Sequence, residues 1–175
     1  MPPNVFEFKP VTRITTNAVG PPGERVFYLQ ARKDDELVTL IVEKSQVQSL
    51  AVGVHKFLEE LAKSKPDISQ ASAVYDQSEM KLETPLDPAF RVAQIGLGYD
   101  DDSDLMVIVA REIPSEEDSA EEGSMARFWT TRSQILAMSH YGLEVASRGR
   151  PICGNCGEPI EPEGHFCPKR NGHKR

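Results

Sequence analysis

"RVFYLQARKDDELVTLIVEKSQV", residues 25–47, contains the pattern that decides the fold. Two runs rich in β-branched and aromatic residues flank the polar turn "KDDE" (33–36), which indicates two strands joined in a hairpin. The helix that follows is predicted to begin near Ser45, with Gln48 completing a capping box, and to end at Pro66. Its apolar residues recur at helical spacing and predict a buried stripe. The stripe comprises Val47, Leu50, Val54, Phe57, Leu58 and Leu61.

The same pattern recurs later in the chain, and the aligned segments keep their order. The pairs are "TRITTNAVG" (12–20) with "FRVAQIGLG" (90–98), "RVFYLQAR" (25–32) with "DLMVIVAR" (104–111), and "LVTLIVEKSQV" (37–47) with "MARFWTTRSQI" (125–135). The second copy also carries an acidic insertion, "PSEEDSAEEGS" (114–124), which is typical of a mobile loop. The alignment therefore predicts two βββα repeats, at about 12–65 and 90–148.

The second helix is predicted to begin near Ser133 and to close at Gly149 and Pro151. Its apolar positions are Ile135, Leu136, Met138, Leu143 and Val145. Residues 66–88 connect the repeats, with a short strand expected around 81–83. Two βββα units pack most economically as one α+β domain, with both helices on one face of a mainly antiparallel sheet. A barrel-like closure of six strands is the alternative.

Every cysteine of the chain lies in "PICGNCGEPIEPEGHFCPKRNGH" (151–173). Cys153 and Cys156 have the spacing of a zinc knuckle, and Cys167 supplies a third thiolate. The fourth ligand is either His173 or His165. We prefer His173, because His165 lies one residue from Cys167 and points to the same face of an extended chain. A full set of four protein ligands predicts a structural Zn²⁺ ion, since a catalytic zinc keeps a position open for water.

The predicted domains are thus a duplicated α+β body over 1–149 and a small zinc-ribbon-like or knuckle-like tail over 150–175. Three cysteines cannot all pair, and a cytosolic chain disfavours structural disulfides, so metal binding is the favoured role of the thiols. A segment this short has little to bury, and the ion would hold it together.

Charge is distributed unevenly between body and tail. The chain carries a net −7, and residues 148–175 hold six Lys or Arg against three Glu, a net of +3 that leaves −10 for 1–147. An acidic body argues against broad contact with nucleic acid, so such contact is expected only through the basic tail. No stretch approaches the roughly 18 apolar residues that a membrane helix needs. The first residues have neither the basic nor the apolar region of a signal peptide, so we expect a cytoplasmic protein without a membrane partner.

Matching positions in the two repeats predict a pair of anion sites. Arg32 and Arg111 occupy equivalent strand ends, and Ser45 and Ser133 occupy equivalent helix starts. A helix N-terminus beside an arginine attracts anions. The alternative is that each arginine pairs with a nearby carboxylate and each Ser-Gln only caps its helix. His55 and His140 are interpreted as isolated helix residues, and no nucleophile is paired with a base.

The repeat with "TRSQ" (131–134) before the last helix, followed by the Cys/His motif, resembles an actinobacterial family of conserved uncharacterised repeat proteins with a domain of unknown function. The resemblance extends over essentially the whole chain, and the C-terminal motif is its most specific part. It implies a cytosolic actinobacterial protein, encoded near a histidine-phosphatase-like protein and a kinase-like protein. It implies no particular activity.

Two functions are compatible with these features. The first is a non-catalytic binding or adaptor protein whose zinc tail contacts a protein partner. The second is an enzyme or sensor that acts on a phosphorylated or nucleotide-like small molecule bound between the repeats. A deep pocket between the repeats would favour the second, whereas a flat exposed apolar patch would favour the first.

Overall fold

A computed structural model describes residues 4–21, 23–112 and 123–148 of the chain. Seven strands form one mixed sheet, and two long helices accompany it, which confirms the α+β class. The elements are β1 (Val5–Phe8), β2 (Arg13–Val19), β3 (Val26–Lys33), β4 (Glu36–Val42), α1 (Lys44–Ser64), a short 3-10 helix (Gln77–Met80), β5 (Pro88–Asp100), β6 (Leu105–Glu112), β7 (Met125–Thr130) and α2 (Arg132–Ser147). Within these described residues, no helix is long and apolar enough to cross a membrane.

The strand order in the sheet is β1-β7-β6-β5-β4-β3-β2. Two three-stranded antiparallel meanders, β2-β3-β4 and β5-β6-β7, lie side by side and are joined by parallel pairing of β4 with β5. Each meander is followed by a helix, so the first half (β2 to α1) and the second half (β5 to α2) follow the same path in the same direction. This shared path leaves a common origin of the halves as a prediction.

The sheet curls until its two edges approach each other. β1 pairs with β7 at one edge and β2 pairs with β3 at the other, although only residues 9–12 separate β1 from β2. Within this connection Val11 donates its N–H to the carbonyl of Trp129 at 2.8 Å, and Thr12 donates to the carbonyl of Arg32 at 2.7 Å. The sheet is therefore close to the barrel-like alternative. It has seven strands rather than the predicted six, and the additional strand is the four-residue β1.

Both helices pack against the face of the sheet that carries the main core. Thr16, Leu29 and Val42 of the sheet line the same small cavity as residues of α1 and α2. At Gly142 of α2, a methyl group would lie 2.8 Å from the Thr16 side chain and 2.9 Å from that of Val47. The close approach of α2 to both β2 and α1 therefore requires glycine at this position.

The apolar stripe predicted for α1 is confirmed. Val47, Val54 and Leu61 are buried, and the remaining members pack against the core while partly exposed. Of the apolar positions of α2, Ile135, Met138 and Val145 are buried, whereas Leu143 is 38% exposed. Tyr141 of α2 is also buried.

The predicted capping box of the first helix is wrong. The N-cap is Glu43, whose N–H donates to the side-chain oxygen of Gln46 at 2.8 Å. In α2 the N-cap is Thr131, whose N–H donates to Gln134 at 2.8 Å. In both helices a glutamine at the third helical position thus satisfies the N-cap N–H, and the serine that precedes it does not cap.

The strand expected around 81–83 is absent from the described structure. Instead, the segment over 76–84 lies across the outer face of the first half, where Thr15, Gln30 and Thr39 are buried. Thr15 donates its hydroxyl hydrogen to the carbonyl of Met80 at 2.8 Å. Side-chain hydrogen bonds to the backbone of this segment replace the ladder that a strand would have formed.

Candidate functional site: a basic cleft between the halves

A cleft of about 340 Å³ lies where the two halves meet. The start of β3, the end of β4 and the start of α1 line it from the first half, and Arg91 of β5 and the end of α2 line it from the second. Its charged lining residues are Arg25, Glu43, Lys44, Arg91 and Arg148. Four cations thus surround one carboxylate, in a chain whose net charge is −7.

Arg25 is positioned by the turn that precedes β3. Gly20 and Gly23 have positive φ angles of 118° and 84°, which glycine adopts without strain. From this turn Arg25 donates through Nη1 to the carbonyl of Val145 at 3.0 Å, in the last turn of α2. A cation at a helix C-terminus is favourable. Its Nε is buried and has no hydrogen-bond partner among the residues that the structure describes.

Arg91 and Arg148 enter the cleft from the second half. Arg91 lies opposite Ile41 in the register of β4 and β5 and forms an ion pair with Glu43 at 3.0 Å. About 60% of each side chain of this pair is exposed, so the pair contributes little to stability and is easily exchanged. Arg148 lies over the Tyr141 ring and bonds to Glu144 at 2.8 Å, and this bond raises the pKa of Arg148.

The N-terminus of α1 adds to the positive potential of the cleft. Lys44 is the first residue of this 21-residue helix, and Glu43 is its cap. Backbone N–H groups and the helix dipole favour negative charge at this end of a helix. The cleft is therefore suited to a small anion such as a phosphate ester or a carboxylate.

The structure places the predicted anion residue Arg32 elsewhere. Arg32 forms an ion pair with Glu83 at 2.7 Å, and its hydrogen bond to Glu83 raises the pKa of the guanidinium. Arg13 bonds to the same carboxylate at 2.9 Å. These bonds lower the pKa of Glu83, with the bond from Arg32 as the largest cause. The alternative, an arginine held by a nearby carboxylate, is what the structure contains at Arg32.

The predicted pairing of each arginine with a helix-start serine does not occur. Arg32 lies opposite Leu37 near the start of β4, whereas Ser45 follows the end of that strand. Arg111 lies opposite Met125 at the start of β7, whereas Ser133 follows its end. The strand length therefore separates each Arg from its Ser.

The two serines also differ in their surroundings. Ser45 lines a separate cavity beside Gly53 and Gly96. Ser133 accepts a hydrogen bond through Oγ from the N–H of Ser72 at 2.9 Å, which ties α2 to the connecting segment. Neither serine lines the basic cleft.

Sequence reasoning missed the basic cleft because its cations lie far apart in the chain. Arg25, Lys44, Arg91 and Arg148 share no local spacing, and only the parallel pairing of β4 with β5 and the return of α2 to β3 bring them together. No sequence signal short of the topology would have identified this set.

The predicted zinc ligands Cys153, Cys156, Cys167 and His173, and the alternative ligand His165, lie outside the described residues. Across 4–21, 23–112 and 123–148, no group of three or more His, Cys, Asp or Glu side chains is placed to hold a metal ion. The zinc site therefore stays a prediction.

Comparison with known proteins gives a family without an assigned activity. A family model described as "Protein of unknown function (DUF3090)" matches residues 6–167, which include both halves and extend through Cys167. Neither a curated protein nor a solved structure matches the chain significantly. The chain belongs to the DUF3090 family of proteins of unknown function.

Proposed function

We propose that this protein binds a small anionic molecule, of the phosphorylated or nucleotide-like class, in the basic cleft between its halves. The observation that carries the proposal is the convergence of four cations from both halves on one carboxylate at the N-terminus of α1. The cleft volume of about 340 Å³ falls within the range of small-molecule sites. A ligand there would contact both halves at once.

Binding rather than catalysis is favoured by the chemistry of the cleft. Its described lining contains no histidine, thiol or hydroxyl side chain, and Glu43 is its one carboxylate. Histidine, thiol and hydroxyl groups are the commonest acid–base and nucleophilic catalysts, and the carboxylate of Glu43 is paired with Arg91. Arginine and lysine instead supply charge-assisted hydrogen bonds to phosphate or carboxylate oxygens. We therefore propose a binding protein or sensor.

Two arginines offer different means of testing this proposal. Arg91 is exposed and its pair with Glu43 is weak, so Arg91→Gln should leave the fold intact and remove one cation. Arg25 lines the cleft and also bonds to the end of α2, so Arg25→Gln tests its role in ligand binding together with its role in stabilising the fold. Arg127 on β7 forms a surface pair with Glu7 at 3.3 Å and does not line the cleft, which makes Arg127→Gln a matched control.

Calorimetric titration with pyrophosphate, followed by a panel of sugar phosphates and nucleotides, provides the measurement. Because a hydrogen bond to a charged group is worth about 1.5–3 kcal/mol, Arg91→Gln should weaken binding by about tenfold or more. Arg127→Gln should bind as the wild type does. Equal affinity in the Arg91 and Arg127 variants, or no binding of any anion in the panel, would remove the basis of the proposal.

A second candidate role concerns the tail. Arg148, the last described residue before the tail, lines the proposed ligand site, and this favours a role of the tail beside the ligand. We propose that a structural Zn²⁺ ion, held by Cys153, Cys156, Cys167 and either His173 or His165, shapes this tail into an adaptor surface for a protein partner. In this scheme the body binds the ligand, the tail binds a protein partner, and both events take place in the cytoplasm.

Metal analysis tests the tail separately from the cleft. Purified protein kept under reducing conditions should contain about one zinc per chain in the tail. Cys153→Ser should release this ion while the body stays folded, and His173→Gln compared with His165→Gln identifies the fourth ligand. Protein without any zinc under these conditions would eliminate the adaptor scheme and leave the cleft proposal standing.

The duplication of the two halves is also part of this proposal. The aligned residues Leu40 and Phe128 are both fully buried, and the aligned Gln46 and Gln134 both accept the N–H of a helix cap. Equivalent roles at equivalent positions support descent of both halves from one βββα unit. In this view the ligand cleft is an interface between the two copies.

A further inference from the structure

Two histidines meet on the surface of the helix pair. His55 of α1 and His140 of α2 have ring centroids 4.8 Å apart, with their planes at 44°. The interpretation of these residues as isolated was wrong, because the packing of α2 against α1 brings them together. Both residues are exposed, so burial of apolar area does not account for their contact.

The histidine pair opens into a groove of about 600 Å³ between the two helices and residues 68–73 of the connecting segment. Glu59 lies one helical turn after His55 and lines the same groove. The side chain of Glu59 forms no hydrogen bond or ion pair with another residue of the described chain. Two imidazoles and one carboxylate thus border a single open space.

The spacing of the two rings fits a shared metal ion. A histidine nitrogen lies about 2.0–2.1 Å from a zinc ion and the ring centroid about 1 Å further back, so two ligating rings have centroids about 5 Å apart. The observed 4.8 Å agrees with this separation. Imidazole is a preferred ligand of Zn²⁺, Cu²⁺ and Ni²⁺.

The charges around the groove do not oppose a cation. The lining arginine, Arg132, has only 10% of its side chain exposed and is held by Asp104 at 2.9 Å. Its guanidinium also donates to Ser69. Asp104 offsets the positive charge of Arg132. The carboxylate of Glu59 therefore makes the net charge around the groove negative, which favours a cation.

We propose that His55 and His140 bind one divalent transition-metal ion such as Zn²⁺, separate from the predicted thiolate site of the tail. Glu59 becomes the third ligand by rotation of its exposed side chain, since the structure does not already place three ligands together. Water completes the coordination, as in zinc sites with three protein ligands.

The test uses the tag-free full chain with Cys153, Cys156 and Cys167 changed to serine, which removes the thiolates of the tail. A titration with Co²⁺, monitored by calorimetry and by visible absorption, should show that one ion binds per chain. Even outer partners of metal ligands are worth about 10–100-fold in affinity, so His55→Gln and His140→Gln should each weaken binding at least about tenfold. Glu59→Gln should weaken it less, and the control Glu60→Gln, next along the helix, should bind normally.

Circular dichroism checks the fold of each variant, and both histidines are exposed enough for substitution to leave it intact. Should the serine variant fail to fold, the wild-type chain serves instead, because Co²⁺ in the tail shows thiolate charge-transfer absorption and Co²⁺ on histidine does not. Unchanged Co²⁺ affinity in both histidine variants would overturn the proposal. So would cobalt uptake that produces only the thiolate spectrum.

Discussion

The two halves of the molecule follow the same path but differ in what covers their outer face. In the first half, residues 76–84 lie over the sheet and bury Thr15, Gln30 and Thr39. In the second half, the aligned partner of Gln30 is Val109, which is partly exposed. Among the described residues, the strands of the first half are therefore buried on both faces, because residues 76–84 cross their outer face. The outer face of the second half is partly exposed at Val109.

The covered face depends on a polar network. The side-chain amide of Gln30 donates to Thr39 Oγ1 at 2.9 Å and to the carbonyl of Glu83 at 3.1 Å, and its oxygen accepts from the Glu83 N–H at 2.8 Å. The Glu83 carboxylate in turn binds Arg13 and Arg32. In the first half, therefore, Arg32 holds the covering segment in place.

The largest expected effect tests whether the halves share one core. Leu40 and Phe128 occupy aligned positions and are both fully buried. Leu40→Ala should lower the free energy of unfolding by about 2–5 kcal/mol, and Phe128→Ala by about 3–5 kcal/mol, because each leaves a cavity. Urea unfolding followed by circular dichroism and Trp129 fluorescence should give one coincident transition in both variants. Two separated transitions would show that the halves fold independently.

A smaller effect distinguishes the two outer faces. Gln30→Leu leaves the Thr39 hydroxyl and the Glu83 backbone without their partners, so it should cost about 1–3 kcal/mol of unfolding free energy. The reverse exchange at the aligned position, Val109→Gln, changes a partly exposed side chain and should stay within about 0.5 kcal/mol. Equal losses in these two variants would contradict the claim that only the first outer face is an interior.

The smallest expected effect depends on pH. The pKa of Glu83 is lowered in the folded protein, chiefly by the hydrogen bond from Arg32, so the folded state binds its proton less readily than the unfolded state. The stabilisation of the folded state by ionised Glu83 is therefore complete above its unfolded pKa of about 4. It is lost as the pH falls through the lower pKa that Glu83 has in the folded protein. Glu83→Gln should lower the urea midpoint at pH 7 by less than Gln30→Leu does, and the gap to wild type should narrow steadily as the pH falls below about 4. A gap that stays constant over this range would exclude the charged pairing as its source.

Local patterns predicted much of the fold, and long-range contacts account for the rest. The hairpin within residues 25–47, the apolar stripe of α1 and the α+β class follow from periodicity and turn chemistry, which depend on neighbouring residues. The strand β1 exists only through its pairing with β7, more than a hundred residues away. The outer cover by residues 76–84 likewise depends on contacts of Gln30 with Glu83, which no local pattern encodes.

The candidate site was less predictable than the fold for the same reason. The aligned Arg32 and Arg111 suggested anion binding, yet the anion-suited cleft is lined by Arg25 and Arg91, which only the sheet topology brings together. The contact of His55 with His140 also required the packing of α2 on α1. The sequence indicates what each side chain can bind, but it does not predict which charged side chains the fold brings together.

The most direct test of the central claim is a ¹⁵N NMR titration of the full chain with pyrophosphate. Binding in the basic cleft should shift the backbone amides around Arg25, Lys44, Arg91 and Arg148 together, with one dissociation constant. Amides around Arg32 and Glu83, which lie outside the cleft, should stay in place. Shifts centred on Arg32, or no saturable shift at the cleft, would contradict the account.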